Sequence, residues 1–89
     1  MITDYEKIET MDMPELMKYM HDGIVELLTM AKEENIAHVD TPTIEDYIGT
    51  SYGGHVNVML FVMREYGLIN GYKATRSHDG RWVNVWSIA

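Results

Sequence analysis

Two short stretches hold most of the side chains able to do chemistry. Ser51, Tyr52, His55 and Asn57 surround the glycine pair Gly53 and Gly54, and Arg64 follows. Lys73, Arg76 and Arg81 gather with His78 further along. Asn pairs bidentately with adenine in the major groove, and Arg suits a narrow minor groove. Backbone N–H groups of two glycines at a helix start would hold a phosphate. The chemistry these types offer is nucleic-acid recognition. A plainer reading competes at both places. The first stretch also fits a buried core helix with one thin polar stripe. The second fits a hairpin whose charges stop its edges from adding strands. One Arg and no Lys on the first stretch is thin for phosphate contact, on which non-specific DNA binding depends.

Other chemistries find less support. Gly49-Thr-Ser-Tyr-Gly-Gly54 is glycine-rich, but it lacks a P-loop Lys and the G-x-S-x-G form of a nucleophile elbow. Ser51 and His55 lie one helical turn apart, with no carboxylate patterned to orient the imidazole. His21, His38, His55 and His78 are scattered. His38-x-Asp40 and His21-Asp22 each offer two metal ligands without a tight ligand spacing. There is no Cys, so no disulfide and no Cys-based zinc site. The expectation is a protein that is not an enzyme, without cofactor or metal, whose histidines are surface groups or satisfied in the core.

These residues must be positioned by the elements around them. Asp12-x-x-Glu15 with Pro14 in the first turn opens a helix over about 13–34, in which Leu16, Met17, Met20, Ile24, Leu27, Leu28 and Ala31 recur at helical spacing. Gly23 lies within it, a small residue expected to let a neighbouring helix come close, and Asn35 stops it. Residues 36–39 read as a short strand. Thr41-Pro-Thr43 breaks the chain, and Thr43 caps a two-turn helix marked by Ile44, Tyr47 and Ile48 that ends near Gly49. Residues 50–54 form a turn, 55–66 a third helix, and Gly67 its stop. On that helix Val58, Val62, Tyr66, Met59, Met63, Val56 and Leu60 span a wide apolar arc, with Asn57, Phe61 and Arg64 opposite. The period then falls to two. Residues 68–75 and 81–88 read as strands joined by Ser77-His-Asp-Gly80, in which Asp-Gly is a hairpin signal. Trp82, Trp86 and Ile88 share one face of the last strand, Val83 and Val85 the other. One face must meet the helices. The other is covered by the N-terminal segment or serves as a contact surface.

The bulk properties bound the setting. A chain of 89 residues is one domain's worth. Residues 1–12 form an N-terminal segment, either a tail or a short helix capped by Thr3-x-x-Glu6, and 13–89 form the domain. The formal charge of −7 is uneven: residues 1–46 sum to −9 and residues 47–89 to +2. The acidic front would repel nucleic acid, while the back half would not. Asp4, Glu6, Glu9, Asp12 and Glu15 read as a solvated face, or as a mimic of nucleic-acid charge toward a basic protein. Of eight methionines, Met11, Met13, Met17, Met20 and Met30 cluster on or before the first helix, as core filler or as an adaptable partner surface. No apolar run is long enough to cross a membrane, and the polar start shows no secretory leader. A small domain without Cys is expected in the cytoplasm.

Helix, short strand, helix, turn, helix and hairpin is the order of a winged helix-turn-helix domain. Thr43-Ile-Glu-Asp-Tyr-Ile-Gly49, followed by a turn and a helix closing in Arg64-Glu-Tyr-Gly-Leu-Ile69, resembles the centre of such domains. Gly80-Arg-Trp-Val-Asn-Val-Trp86 resembles the second wing strand of small bacterial repressors. The resemblance covers residues 14–88 and implies an α+β fold of three helices, a short strand after the long first helix, and a C-terminal β-hairpin wing. It implies a regulator that binds double-stranded DNA, often as a homodimer through terminal helices. Ser51, Tyr52, His55, Asn57 and Arg64 would then face the major groove, and Lys73, Arg76 and Arg81 the backbone or minor groove. The alternative is a winged-helix module of the small viral or accessory type, docking on a protein partner through its acidic or apolar surface.

Overall fold

The computed structural model describes residues 13–49, 54–75 and 79–89. The N-terminal segment, the turn residues 50–53 and the hairpin residues 76–78 lie outside the described residues. The architecture is α+β. Its elements run α1 (Met13–Glu33), β1 (Val39–Asp40), α2 (Thr41–Ile48), α3 (His55–Glu65), β2 (Ile69–Thr75) and β3 (Trp82–Ile88). The strands form one antiparallel sheet in the order β1-β3-β2.

Helix α1 forms because Leu16, Met20, Ile24 and Leu28 recur every fourth residue, and all four are buried. Gly23 is buried beside them. Of the methionines, Met20 joins the core, whereas Met17 and Met30 are partly exposed. The helix closes when Asn35 adopts φ 61° and the Ile36 N–H donates to the Ala31 carbonyl at 2.8 Å. That bond corrects the expected strand at 36–39. Ile36 is used in ending α1 and stands half exposed, so pairing begins only at Val39 and extends to Asp40.

Asp40 also corrects the expected cap. Its carboxylate Oδ1 accepts the Thr43 N–H at 2.9 Å, which starts α2 at Thr41 with Pro42 inside the first turn. Thr41-Pro-Thr43 is therefore helix, not a break, and Thr43 is the capped residue rather than the cap. Two tyrosines tie α2 to α1. The Tyr19 hydroxyl donates to the Ile48 carbonyl at 2.6 Å. The Tyr47 hydroxyl donates to the Glu26 carboxylate and lies 3.8 Å from Met30 Sδ. Helix α3 ends in a left-handed Gly67 at φ 74°, with Leu68 N–H donating to Met63 O at 3.0 Å.

Trp86 is the hub that joins these parts. It lies in the central strand, opposite Gly71 on one side and Val39 on the other. Its ring lies where a Gly71 side chain would stand. Its indole N–H donates to Thr41 Oγ1 at 2.9 Å, and the Thr41 hydroxyl donates on to the Asn84 carbonyl at 3.4 Å. Phe61 of α3 meets the ring edge-on at 5.3 Å. The core that closes around it takes Ile44 and Ile48 from α2, Val56, Leu60 and Met63 from α3, and Ile69 from β2.

The strand faces are thereby assigned. Trp86 and Ile88 meet the helices, but Trp82 on the same face is 71% exposed, because the hairpin runs out beyond the helical cover. On the opposite face Val85 is buried, and a His38–Tyr72 contact spans β3 there, with the Tyr72 hydroxyl 3.1 Å from His38 Nδ1.

Candidate functional site

Helix α3 packs on β2 and sets Phe61 against Trp86, so it lies along the sheet face that continues outward to Asn84 and Trp82. This leaves an outer side of α3, Leu68 just after it and Trp82 on the hairpin exposed.

The sequence-derived site residues divide in three. Ser51, Tyr52 and Arg76 lie outside the described residues. His55 and Asn57, in the first turn of α3, are half-buried rather than projecting. Arg64, Lys73 and Arg81 are exposed. Arg64 lies in the last turn of α3, with its guanidinium carbon 4.9 Å from the Phe61 ring centroid and its Nη2 3.9 Å from Glu65. Its charge is thus turned toward an aromatic face and a carboxylate of its own helix. Lys73 lies on β2 opposite Asn84, on the face shared with Trp82. Arg81 sits just before β3, where its backbone N–H donates to the Asp79 carboxylate at 3.0 Å and fixes the turn. Across the described part of α3 and the hairpin, these three cations face two carboxylates, Glu65 and Asp79.

Four further contacts place the remaining polar candidates. His21 Nδ1 lies 3.3 Å from the Asp22 carboxylate, and Lys18 Nζ donates to Asp22 at 2.7 Å. The Lys18 hydrogen bond, with a further bond from His21, holds the Asp22 carboxyl below its ordinary pKa. His38 is engaged with Tyr72, and Asp40 caps α2. Among the described residues no three His, Asp or Glu side chains converge to hold a metal ion. No described helix is long and apolar enough to cross a membrane.

The feature that the sequence reading missed is apolar. Val58, Val62 and Tyr66 were expected on the inward arc of α3, and the structure turns them out, at 59%, 42% and 78% exposure. At intervals of four they form one ridge along the helix. Phe61, expected on the polar side, is instead half-buried against Trp86. Leu68 and Trp82 add two more exposed apolar side chains in the same part of the chain. A signal did exist. A helix whose arc includes Val56, Val58, Met59, Leu60, Phe61, Val62 and Met63 is apolar nearly all round. A small domain cannot bury every side of such a helix.

Comparisons with protein-family models, with curated proteins and with solved structures return no match to this chain.

Proposed function

We propose that the chain is a winged helix-turn-helix domain acting as a non-enzymatic protein-docking module, which receives an amphipathic helix of a partner along the outer side of α3. The order helix, strand, helix, helix, hairpin supports the winged-helix part of this reading, as does the sheet order β1-β3-β2. The observation that carries the docking part is the exposed ridge Val58–Val62–Tyr66. In a winged-helix domain that side of the helix would be the contact surface. Here it carries apolar groups, and the nearby charges of Arg64 and Glu65 offset each other. Apolar ridges at intervals of four pack against the grooves of a second helix, and exposed Tyr and Trp side chains are typical anchors of protein interfaces.

A second reading, a DNA-binding regulator, is favoured by Lys73 and Arg81, which stand exposed on the hairpin. With so few cations its affinity would be weak. With Arg64, Lys73, Arg76 and Arg81 as the phosphate contacts, the slope of log K against log salt would be about −3 to −4.

One experiment separates them. Val62→Glu and the pair Lys73→Ala/Arg81→Ala are exposed changes that should leave folding within about 0.5 kcal/mol. Capture of a partner from host extract is followed by titration of that purified partner. The docking reading expects Val62→Glu to abolish binding and the cation pair to leave it intact. Duplex DNA binding that is lost in the cation pair and kept in Val62→Glu would replace docking with the second reading.

A further inference from the structure

A cleft of about 520 Å³ opens where the C-terminal end of α1 meets the hairpin face carrying Val83 and Val85. It shares no lining residue with the ridge on α3. Its volume falls within the roughly 300–1,000 Å³ typical of small-molecule sites. The walls are apolar, with Leu27 and Met30 from α1, Ile36 after it, and Ala74, Val83 and Val85 from the hairpin.

Among the described lining residues Glu34 and Asp40 are the acidic groups, and there is no Lys or Arg. Glu34 is exposed at the rim. Asp40 is half-buried, and its Oδ1 takes the Thr43 N–H, so the start of α2 offsets part of its charge. The C-terminal end of α1 also ends at this cleft, and the negative end of a helix dipole favours cations. Lys32, the basic residue of that last turn, lines the adjoining smaller cleft beside Trp86, which shares Ala31, Ile36 and His38 with this one. His38 lies in the wall, within hydrogen-bond distance of Tyr72.

We propose that this cleft binds a small organic cation with an apolar body, such as an aryl- or alkylammonium compound. The apolar part would rest on Val83, Val85 and Leu27, and the ammonium head would face Glu34 and Asp40. An anion would meet two carboxylates and a helix C-terminus. A neutral analogue would gain the wall contacts alone.

The test is amide-resolved NMR titration of the full chain with three probes of one shape: 2-phenylethylamine, 2-phenylethanol and 3-phenylpropanoate. The expected result is saturable shifts at Leu27, Ala31, Val83 and Val85, with the amine about two- to fivefold tighter than the alcohol and the acid weakest. Glu34→Gln, an exposed change, should remove most of the amine's preference. Val83→Lys, which places a cation in the cleft, should abolish amine binding, with a thermal melt confirming that the variant is folded. Several results would overturn the proposal. These are no saturable binding by any probe, equal binding by all three, shifts that map elsewhere, or amine binding unchanged in Val83→Lys.

Discussion

Replacing Gly71 by alanine places one methyl group against the buried Trp86 ring. The new Cβ would lie 2.3 Å from Cζ3 and 2.4 Å from Cε3 of Trp86. Ordinary carbon contacts are about 3.5–4.0 Å, so the ring or the strand must retreat by more than about 1 Å. The ring has little freedom to do so. It is 1% exposed, bonded to Thr41 at 2.9 Å and held edge-on by Phe61 at 5.3 Å. Overpacking of this kind costs about 1–3 kcal/mol. If the indole swings and leaves its N–H unpaired, about 1–3 kcal/mol more is lost. A stiffer unfolded chain returns about 0.4–1 kcal/mol. The net expectation is a loss of about 2–4 kcal/mol. A domain of this size has about 4–13 kcal/mol in total, and each kcal/mol moves the melting midpoint by about 4–8 °C. Circular-dichroism melts should therefore fall by about 10–30 °C. Trp86 fluorescence in urea, read in a Trp82→Phe background, should report the same loss. Gly80→Ala is the control. It has φ 70° and nothing within 4 Å of its added Cβ, so only backbone strain of about 1–2 kcal/mol applies. A Gly71→Ala melt within about 2 °C of the parent, or a Gly80→Ala variant that is the worse of the two, would refute the packing argument.

Thr41→Val should cost about 1–3 kcal/mol in urea titration by stranding the Trp86 N–H, while Thr41→Ser should recover most of it. Asp40→Ala should cost about 0.5–2 kcal/mol and speed exchange of the Thr43 amide, with Asp40→Asn close to the parent. Burial raises the Tyr19 pKa, and the Glu26 hydrogen bond raises that of Tyr47, above the ordinary 10.0. Both groups favour the protonated folded state. Their contribution is whole below the ordinary value and is lost as pH climbs through the higher folded one. Urea midpoints should decline above about pH 10, and the double change Tyr19→Phe/Tyr47→Phe should flatten that decline.

The parts of the fold legible in the sequence were those with one dominant period. Leu16, Met20, Ile24 and Leu28 allow α1 no other reading, and Asn35 and Gly67 mark helix ends where the structure puts them. The cap of α2 was misassigned to Thr43, because Asp40 is an equally good cap residue and Pro42 tolerates either start. Pairing of Asp40 with Val85 decides it, and that contact joins residues far apart in the chain. The outer ridge of α3 was illegible for a related reason. A helix that is apolar nearly all round has no inner side until the sheet beneath it selects one. Trp82 and Trp86 look alike by periodicity, yet one is 71% and the other 1% exposed, because only the nearer falls under Phe61. The basic residues were visible as types. The Arg64 contact with Phe61 was implicit in helical spacing, whereas the Arg64–Glu65 contact joins adjacent residues and was not.

Asp40 is both the last rung of β1 and the cap of α2, with no residue between strand and helix. The joint therefore has no hinge. An inserted residue would have to unhook either the ladder or the cap, so this junction should tolerate length changes far less than an ordinary loop. Strand and helix should also open as one cooperative unit, with the Val39, Asp40 and Thr43 amides losing protection together.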